Sequence, residues 1–307
     1  MIAFKSHIHY LFLLAFFLII KSKCPAQGCS DAGLCTLNSM NANLLDTSGL
    51  KSNSLKFGIN YGKADHAIST TGGYLEYDKI IDKKISANIK LTYLSQSGVL
   101  TKSAGLSDLF LNINYSKNKI SHFSAGIKIP FSDGNKKLNG QSLPMDYQSS
   151  LGTTDLLLGY IHQINKLKIT LGIQQSLTHN KNQFLVSNYL DTILVSQFQS
   201  TNEYKREGDV LIRISYLIYK SSSIKITPSI LPIYHLADDS FRNNQSVQQK
   251  IVGSKGLTFN GNLYVEYKIN ENNFVEFNIG SPFISRKNRP DGLTRKFIMN
   301  LEYRINF

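Results

Sequence analysis

The chain has 307 residues, of which 42% are hydrophobic and 18% are charged, and its formal net charge is +13. This length suits one large β domain, and the chain has no run of about 20 apolar residues, which a transmembrane helix would need. A basic balance is typical of nucleic-acid-binding proteins, but the export signal described next argues against nucleic acid. An exported basic chain is expected to meet anionic solutes or the phosphates of lipopolysaccharide instead.

Residues 1–27 have the three parts of an export signal peptide. Lys5 supplies the basic part, residues 10–20 form the apolar part, and residues 21–27 form the polar part before the cleavage site. The apolar part is too short to span a membrane as a helix. We therefore predict that the mature chain begins near Gly28 and is exported.

Residues 28–53 are polar and lack strand alternation, so we predict a periplasmic tail or a plug inside a barrel. They contain Cys29 and Cys35. Two cysteines that lie close together in an exported chain usually pair, which predicts a disulfide between them. The stretch offers too few ligands for a metal ion, and we predict neither a metal site nor a cofactor.

From residue 54 onward, apolar and polar side chains alternate in segment after segment. In the first segment Leu55, Phe57 and Ile59 face one way, and Lys56 and Gly58 face the other. A period of two indicates strands that carry one apolar face and one polar face. About twelve such strands fit between residues 54 and 307, which predicts one all-β domain.

The connections between these strands alternate in length. They are short at residues 82–84, 116–119, 165–166, 221–223 and 270–273, and long around 63–72, 96–104, 131–151, 179–206, 236–256 and 283–293. Short periplasmic turns and long extracellular loops are typical of bacterial outer-membrane barrels. We predict a transmembrane antiparallel up-and-down β-barrel with both termini in the periplasm. A soluble sandwich or lipocalin-like barrel is the alternative, but it gives no reason for the alternating lengths.

The chain ends in an amphipathic segment that stops on an aromatic residue. One face of an extended strand over residues 297–307 carries Phe297, Met299, Leu301, Tyr303, Ile305 and Phe307. This ending resembles the last strand of bacterial outer-membrane barrels. The resemblance implies that Phe307 belongs to the signal read by the barrel assembly machinery. It also implies an outer-membrane protein of a Gram-negative bacterium, in contact with lipid and lipopolysaccharide.

Two internal segments carry a further resemblance. They are Gly105-Leu-Ser-Asp-Leu-Phe-Leu-Asn-Ile-Asn-Tyr115 and Gly152-Thr-Thr-Asp-Leu-Leu-Leu-Gly-Tyr160. Both resemble the outer-membrane transporter family named for the meta-pathway of phenol degradation, and more distantly the long-chain fatty-acid transporters. The segment Cys29-Ser-Asp-Ala-Gly-Leu-Cys35 resembles the mature start of uncharacterised barrels from Bacteroidota. These resemblances imply passage of small hydrophobic molecules, and no binding residue carries over.

The polar faces of the predicted strands carry more basic than acidic side chains. The basic ones are Lys56, Lys90, Lys128, Lys168, Arg213, Lys225, Lys268, Lys296 and Arg304, and the acidic ones are Asp108, Asp155, Glu266, Glu276 and Glu302. In a transmembrane barrel these faces turn toward the lumen, where basic rings favour anions. The alternative is that the charges pair across strands and fill a narrow barrel. The first seven basic residues are our selectivity candidates.

Two other features predict a ligand path. Pro228 and Pro232 interrupt the ninth strand, and proline removes a donor from a sheet ladder. We expect a bulge there, or else a gap through which an apolar ligand leaves sideways. Residues 184–198, with Tyr189, Leu190 and Ile193, form an apolar stretch in the longest loop. This stretch is a hairpin above the membrane, a cap over a hydrophobic site, or two further strands that would raise the count to about fourteen.

These observations favour a monomeric channel or transporter for small hydrophobic or anionic solutes. The alternative from another class is a structural or surface-binding barrel with a closed lumen. A barrel hydrolase is the third hypothesis, because His122 and Ser124 share one strand face and Asp238 and Asp239 lie near His235. The first pair would face the lumen beside a periplasmic turn, and loop polarity explains the second group. We therefore predict that the protein is not an enzyme.

Overall fold

A computed structural model describes residues 53–291 and 297–307 of the chain. The predicted signal peptide, the tail or plug up to residue 52, the Cys29–Cys35 disulfide and Lys296 lie outside the described residues. Among the residues described, no helix is long and apolar enough to cross a membrane.

Twelve long strands form the wall in the part of the chain that the structure describes. They are β1 (Asn53–Lys63), β2 (Ser69–Ile80), β3 (Ile85–Ser97), β4 (Lys102–Ser116), β5 (Ser121–Pro130), β6 (Asp155–Ile164), β7 (Leu167–Ser176), β8 (Asp209–Tyr216), β9 (Ile224–His235), β10 (Gly256–Lys268), β11 (Asn273–Ile284) and β12 (Phe297–Asn306). The short strand Tyr219–Lys220 adds to the edge of β9. The expected count of about twelve is confirmed, and the alternative of fourteen is wrong.

The wall is closed, because each strand pairs antiparallel with the next and β1 pairs with β12. At the chain ends, the Asn53 amide donates to the Phe307 carbonyl at 3.0 Å, and the Phe307 amide donates back at 2.9 Å. A closed barrel leaves no open sheet edge, which is what a strand protein needs in order to cross a bilayer. The predicted all-β transmembrane barrel is therefore confirmed.

The outer surface is apolar, because the outward positions of each strand carry aliphatic and aromatic side chains. Phe57, Ile59, Ile113 and Leu301 are among these exposed residues. Exposed tyrosines lie near both ends of the wall, namely Tyr61 and Tyr93 at one end and Tyr115, Tyr216, Tyr267 and Tyr303 at the other. Aromatic side chains at both rims of an apolar band are typical of membrane barrels.

The two ends of the barrel differ. At the end that holds the termini, which we call the turn end, the strands are joined by residues 81–84, 117–120, 165–166, 217–223 and 269–272. The opposite end, the loop end, has long connections over residues 131–154, 177–208 and 236–255. The expected long loops around 63–72 and 96–104 are wrong, because β2, β3 and β4 extend further than the alternation indicated. Only residues 64–68 and 98–101 remain as connections there.

Residues 131–154 and 177–208 form what we call the loop cap, which packs over the loop end. Its apolar centre joins Leu143 and Tyr147 of the first segment to Phe184, Val195 and Phe198 of the second. It rests on Ala64 and Ile68 of the short connection after β1. Hydrogen bonds of a buried asparagine also hold the loop cap together. The Asn182 side-chain amide donates to the carbonyls of Gly134 and Leu143 at 2.8 and 3.0 Å.

Candidate functional site: the barrel interior

The interior of the barrel is lined with polar side chains, because these alternate with the outward apolar positions. Among the predicted selectivity residues, Lys56, Lys90, Lys128, Lys168 and Arg213 are buried inside. Lys225 and Lys268 are half-buried near the turn end, as is Arg304. These basic residues therefore face the lumen, and their role in selectivity stays a prediction.

Lys56 and Lys90 are held by carboxylates of the neighbouring strand β2. The Lys56 ammonium lies 2.8 Å from Asp78 Oδ2 and 3.3 Å from Glu76 Oε1. The Lys90 ammonium lies 3.5 Å from Glu76 Oε2 and 3.6 Å from the centre of the Tyr74 ring. At these two positions the basic side chains pair with acidic residues across strands and fill the interior, which was the alternative to a basic ring. Glu76 and Asp78 were missed in the sequence, although their alternation with Leu75 and Tyr77 marks them as inward.

A second group of charges surrounds Lys128 on β5. Its ammonium lies 2.7 Å from Asp155 Oδ2, and both residues are at most 1% exposed. The Thr153 hydroxyl, from the loop cap, donates to Asp155 at 2.7 Å, and the Ser150 hydroxyl donates to Asp108 at 2.6 Å. The loop cap therefore enters the lumen and completes the hydrogen bonding of buried carboxylates, as buried charges require.

The remaining basic candidates at the turn end are also paired. Glu266 accepts from Lys225 at 3.1 Å and from Arg304 at 2.8 Å. The Lys268 ammonium lies 2.6 Å from Glu271 in the adjacent turn. These pairs balance positive charge near the turn end, so they do not form an uncompensated basic ring.

Lys168 and Arg213 form a different arrangement, because two buried basic side chains occupy adjacent inward layers. Lys168 stands opposite Ser215 and Thr170 opposite Arg213 in the β7–β8 pairing, so all four face the lumen in two adjacent layers. The charges of Arg213 and of Glu276 both act on the Lys168 ammonium. Two positive groups and one carboxylate therefore meet on the turn-end side of the lumen.

An apolar cluster lies inside the barrel, although the surrounding wall is polar. It contains Phe110 from β4, Leu157 from β6, Leu211 from β8, and Leu231 and Ile233 from β9, each at most 4% exposed. These strands follow one another along one part of the wall, so the cluster lines that side of the interior. The cluster was not predicted, but apolar residues in the inward phase of a strand were its visible signal. Along β8 it begins at Leu211, which lies two residues from Arg213 toward the loop end.

The two prolines of β9 do not produce the expected bulge. β8 and β9 pair at Leu211 with Ile233 and again, in the same register, at Ile214 with Ile230. The pairs between these two positions are missing. On the other side, Pro228 and Pro232 pair with β10 without a shift. The ladder between β8 and β9 is therefore interrupted beside Pro232, where proline supplies no donor. A sideways ligand path at this position stays a prediction.

The apolar stretch over residues 184–198 is neither a hairpin nor a pair of wall strands. It folds into the 3-10 helix Val186–Asn188 and the short α-helix Thr192–Val195. Tyr189 packs against the apolar centre of the loop cap, and its hydroxyl donates to the Ser142 carbonyl at 2.6 Å. Leu190 and Ile193 are instead 102% and 87% exposed. The stretch belongs to a cap, and a ligand role for these three side chains stays a prediction.

At the loop end, His235 is held between two carboxylates. Its Nδ1 lies 2.7 Å from Asp209 Oδ1, and its Nε2 lies 2.8 Å from Asp239 Oδ1. Burial would raise the pKa of Asp239, but hydrogen bonding and the charge of His235 hold that pKa below its usual range. The Tyr204 hydroxyl donates to the second oxygen of Asp239 at 2.8 Å. Asp209 also accepts from Arg206, so buried charges tie β8 and β9 to the loops.

These contacts bear on the hydrolase hypothesis. Both nitrogens of His235 are bonded to carboxylates inside a buried network, so neither can act as a general base on a substrate. His122 Nδ1 is paired with the Ser116 hydroxyl at 2.8 Å rather than with Ser124. The structure therefore offers no support for catalysis at either group of residues.

We compared the chain with known proteins. No family model and no curated protein matches it. Among solved structures, an outer membrane channel from Pseudomonas putida F1 is similar with a TM-score of 0.59 and 12% identity, over 84% of this chain and 96% of that chain. The NanC porin gives 0.46 and 8%, over 82% and 98%. The CymD monoaromatic hydrocarbon channel gives 0.45 and 7%, over 92% and 97%.

Identities this low show a shared fold and no more, and the two lower scores carry no argument. The match with the Pseudomonas putida F1 channel covers 96% of that channel's chain. This chain therefore shares the fold of that outer membrane channel.

Proposed function

We propose that this protein is an outer-membrane channel for small solutes, with the turn end in the periplasm and the loop end outside the cell. The fold shared with the Pseudomonas putida F1 channel and the apolar outer belt support this placement. A small solute would enter beneath the loop cap and leave among the charges of the turn end.

The observation that carries the proposal is the apolar cluster in the lumen. A barrel that served only as a membrane anchor would need no apolar cluster in a polar interior. The cluster around Phe110 and Leu231 is surrounded on both sides by buried charges. An apolar constriction between wet, charged regions is a recognised way to gate a pore. We infer that the structure shows the closed state and that movement of these side chains opens the path.

A second candidate function has an observation of its own. Phe110, Leu157 and Leu231 are at most 1% exposed, so these apolar side chains inside the barrel are packed and shielded from water. A surface-binding barrel whose lumen never opens would also have this property. Such a barrel would act through the exposed part of its loop cap, which includes Leu190 and Ile193.

Uptake into liposomes separates the two candidates. The mature chain would be reconstituted, and entry of a neutral sugar such as arabinose and of small charged solutes would be measured against protein-free liposomes. The channel proposal expects faster entry of one or more of them. Entry at the protein-free rate for every solute would reject the channel and leave the surface-binding barrel.

A further inference from the structure

The lumen contains a group of donors that faces the turn-end side of the apolar cluster. It consists of Lys168, Thr170, Arg213, Ser215 and Ser229, which we call the lumen cation site. These residues occupy adjacent inward positions on β7, β8 and β9, since Ser215 pairs with both Lys168 and Ser229. Each of them is at most 6% exposed. The site is therefore built into the rigid wall and not into a mobile loop.

Two hydroxyl oxygens in this site are buried and have no hydrogen-bond partner, namely Thr170 Oγ1 and Ser229 Oγ. A buried polar group without a partner is costly, so such groups usually meet water or a ligand. Both hydroxyls can donate, and they occupy the same inward layers as the basic side chains of Lys168 and Arg213. Hydroxyl donors beside two basic side chains are the surroundings that a carboxylate, sulfonate or phosphate needs.

The next inward layer toward the loop end is apolar. Leu231 pairs with Asn260 and follows Ser229 by two residues on β9, and Leu211 precedes Arg213 by two residues on β8. Both leucines belong to the apolar cluster. One bound molecule could therefore place an anionic group on the lumen cation site and an apolar body against these leucines.

We propose that the lumen cation site binds small organic anions that carry an apolar body. This inference rests on the proposed channel function, and it gives that channel its substrate class. A small inorganic anion could contact the basic side chains but has no apolar part to pack against the leucines. A neutral apolar molecule could contact the leucines but would offer no negative charge to the basic side chains and no charged acceptor to the two unpartnered hydroxyls.

Three membrane-impermeant probes test whether binding needs both the anionic group and the apolar body. Benzenesulfonate has the anion and the apolar body, methanesulfonate has the anion alone, and benzyltrimethylammonium has a similar body with the opposite charge. Binding to the purified mature protein in detergent would be measured by calorimetry, and entry would be measured in proteoliposomes. We expect benzenesulfonate to bind at least about tenfold more tightly than either of the others.

Variants then locate the binding. Lys168→Gln and Arg213→Gln should each weaken benzenesulfonate binding roughly tenfold, and Thr170→Val should weaken it severalfold. The matched control is Lys166→Gln, which makes the same change on an exposed residue of the adjacent turn and should leave binding unchanged. Each variant would be checked for native heat-modifiable mobility on gels. If Arg213→Gln does not fold, Lys168→Gln and Thr170→Val still decide.

The outcomes of the two measurements are distinct. Equal binding of the three probes, no binding of benzenesulfonate, or equal loss in the Lys166→Gln control would overturn the lumen cation site. Binding that depends on Lys168 without any entry into proteoliposomes would keep the site and reject the channel. Entry of solutes without a preference for benzenesulfonate would keep the channel and reject the site.

Discussion

At the scale of single residues, burial inside a barrel makes paired charges matter more than they do on a protein surface. Asp155 is fully buried and accepts from Lys128, Gln174 and Ser176. Glu271 also pairs with a lysine, at 2.6 Å, but its side chain is 87% exposed. A surface pair contributes little, while removal of one partner from a buried pair leaves a charge without compensation.

Asp155→Asn should therefore lower the free energy of unfolding by roughly 3 kcal/mol or more, because Lys128 would remain buried without its counter-charge. The matched control, Glu271→Gln, should change it by less than about 1 kcal/mol. Urea unfolding of the protein in detergent or lipid, followed by heat-modifiable mobility, measures both. Equal effects of the two substitutions would show that the buried pair has no special weight.

The sequence identified many of these inward residues, since a period of two separates Lys56 and Lys128 from their apolar neighbours. It could not reveal their partners, because partnership depends on which strands lie side by side and in which register. Lys128 and Asp155 are separated by the loop cap in the chain and meet only in the folded wall. For this reason an apparent excess of basic residues became, at most positions, a set of cross-strand pairs.

At the scale of elements, the loop cap is the part of the fold that the sequence predicted least well. Residues 184–198 lack a clean period, and their helices are too short to leave a periodic signal. Their position is set by burial of Phe184, Val195 and Phe198 against the other loops. Wall strands were easier to recognise, because a membrane on one side and a polar lumen on the other enforce strict alternation.

Phe184→Ala should loosen the loop cap and leave the wall intact. Phe184 is fully buried, so its truncation should cost about 3–5 kcal/mol of local stability. Limited proteolysis should then cut within residues 177–208 faster than in the native protein. Leu190→Ala is the control, because Leu190 is fully exposed in the same segment. A cap that resists protease equally in both variants would argue against this packing.

Asp146 should make the loop cap sensitive to pH. Burial, together with the charges of Asp65 and Asp291, raises the pKa of this carboxyl from 3.8 to about 7. A folded-state pKa above the unfolded value means that this contribution to stability is complete below about pH 4 and lost as pH rises toward 7. The native protein should therefore gain more stability between pH 8 and pH 5 than the Asp146→Asn variant does.

Thermal unfolding at the two pH values measures this difference directly. Asp133→Asn is the control, because Asp133 is an exposed carboxylate in the same loop. The pH dependence of that variant should match the native protein. An Asp146→Asn variant with unchanged pH dependence would show that Asp146 does not titrate within the cap.

At the scale of the whole molecule, three layers decide what the barrel can do. The apolar exterior favours a membrane, the interior carries buried charged side chains toward each end, and we propose that the apolar cluster around Phe110 closes the path between them. The fold followed from strand alternation and connection length. The closure could not be predicted, because it depends on which inward side chains meet across the lumen.

We expect the Phe110 side chain, the aromatic member of the apolar cluster, to obstruct the lumen. Truncation to alanine removes the Phe110 ring from the apolar cluster and should open space inside the barrel. Phe57→Ala is the matched control, because Phe57 lies on the outer, lipid-facing surface. Phe110→Ala should therefore change conduction, while Phe57→Ala should not.

The most direct measurement is single-channel conductance of the mature protein and these two variants in planar bilayers. We expect brief, small openings for the native protein and for Phe57→Ala, and at least a severalfold larger conductance for Phe110→Ala. Silence from Phe110→Ala, with native heat-modifiable mobility, would contradict a path through the lumen and identify the protein as a closed barrel.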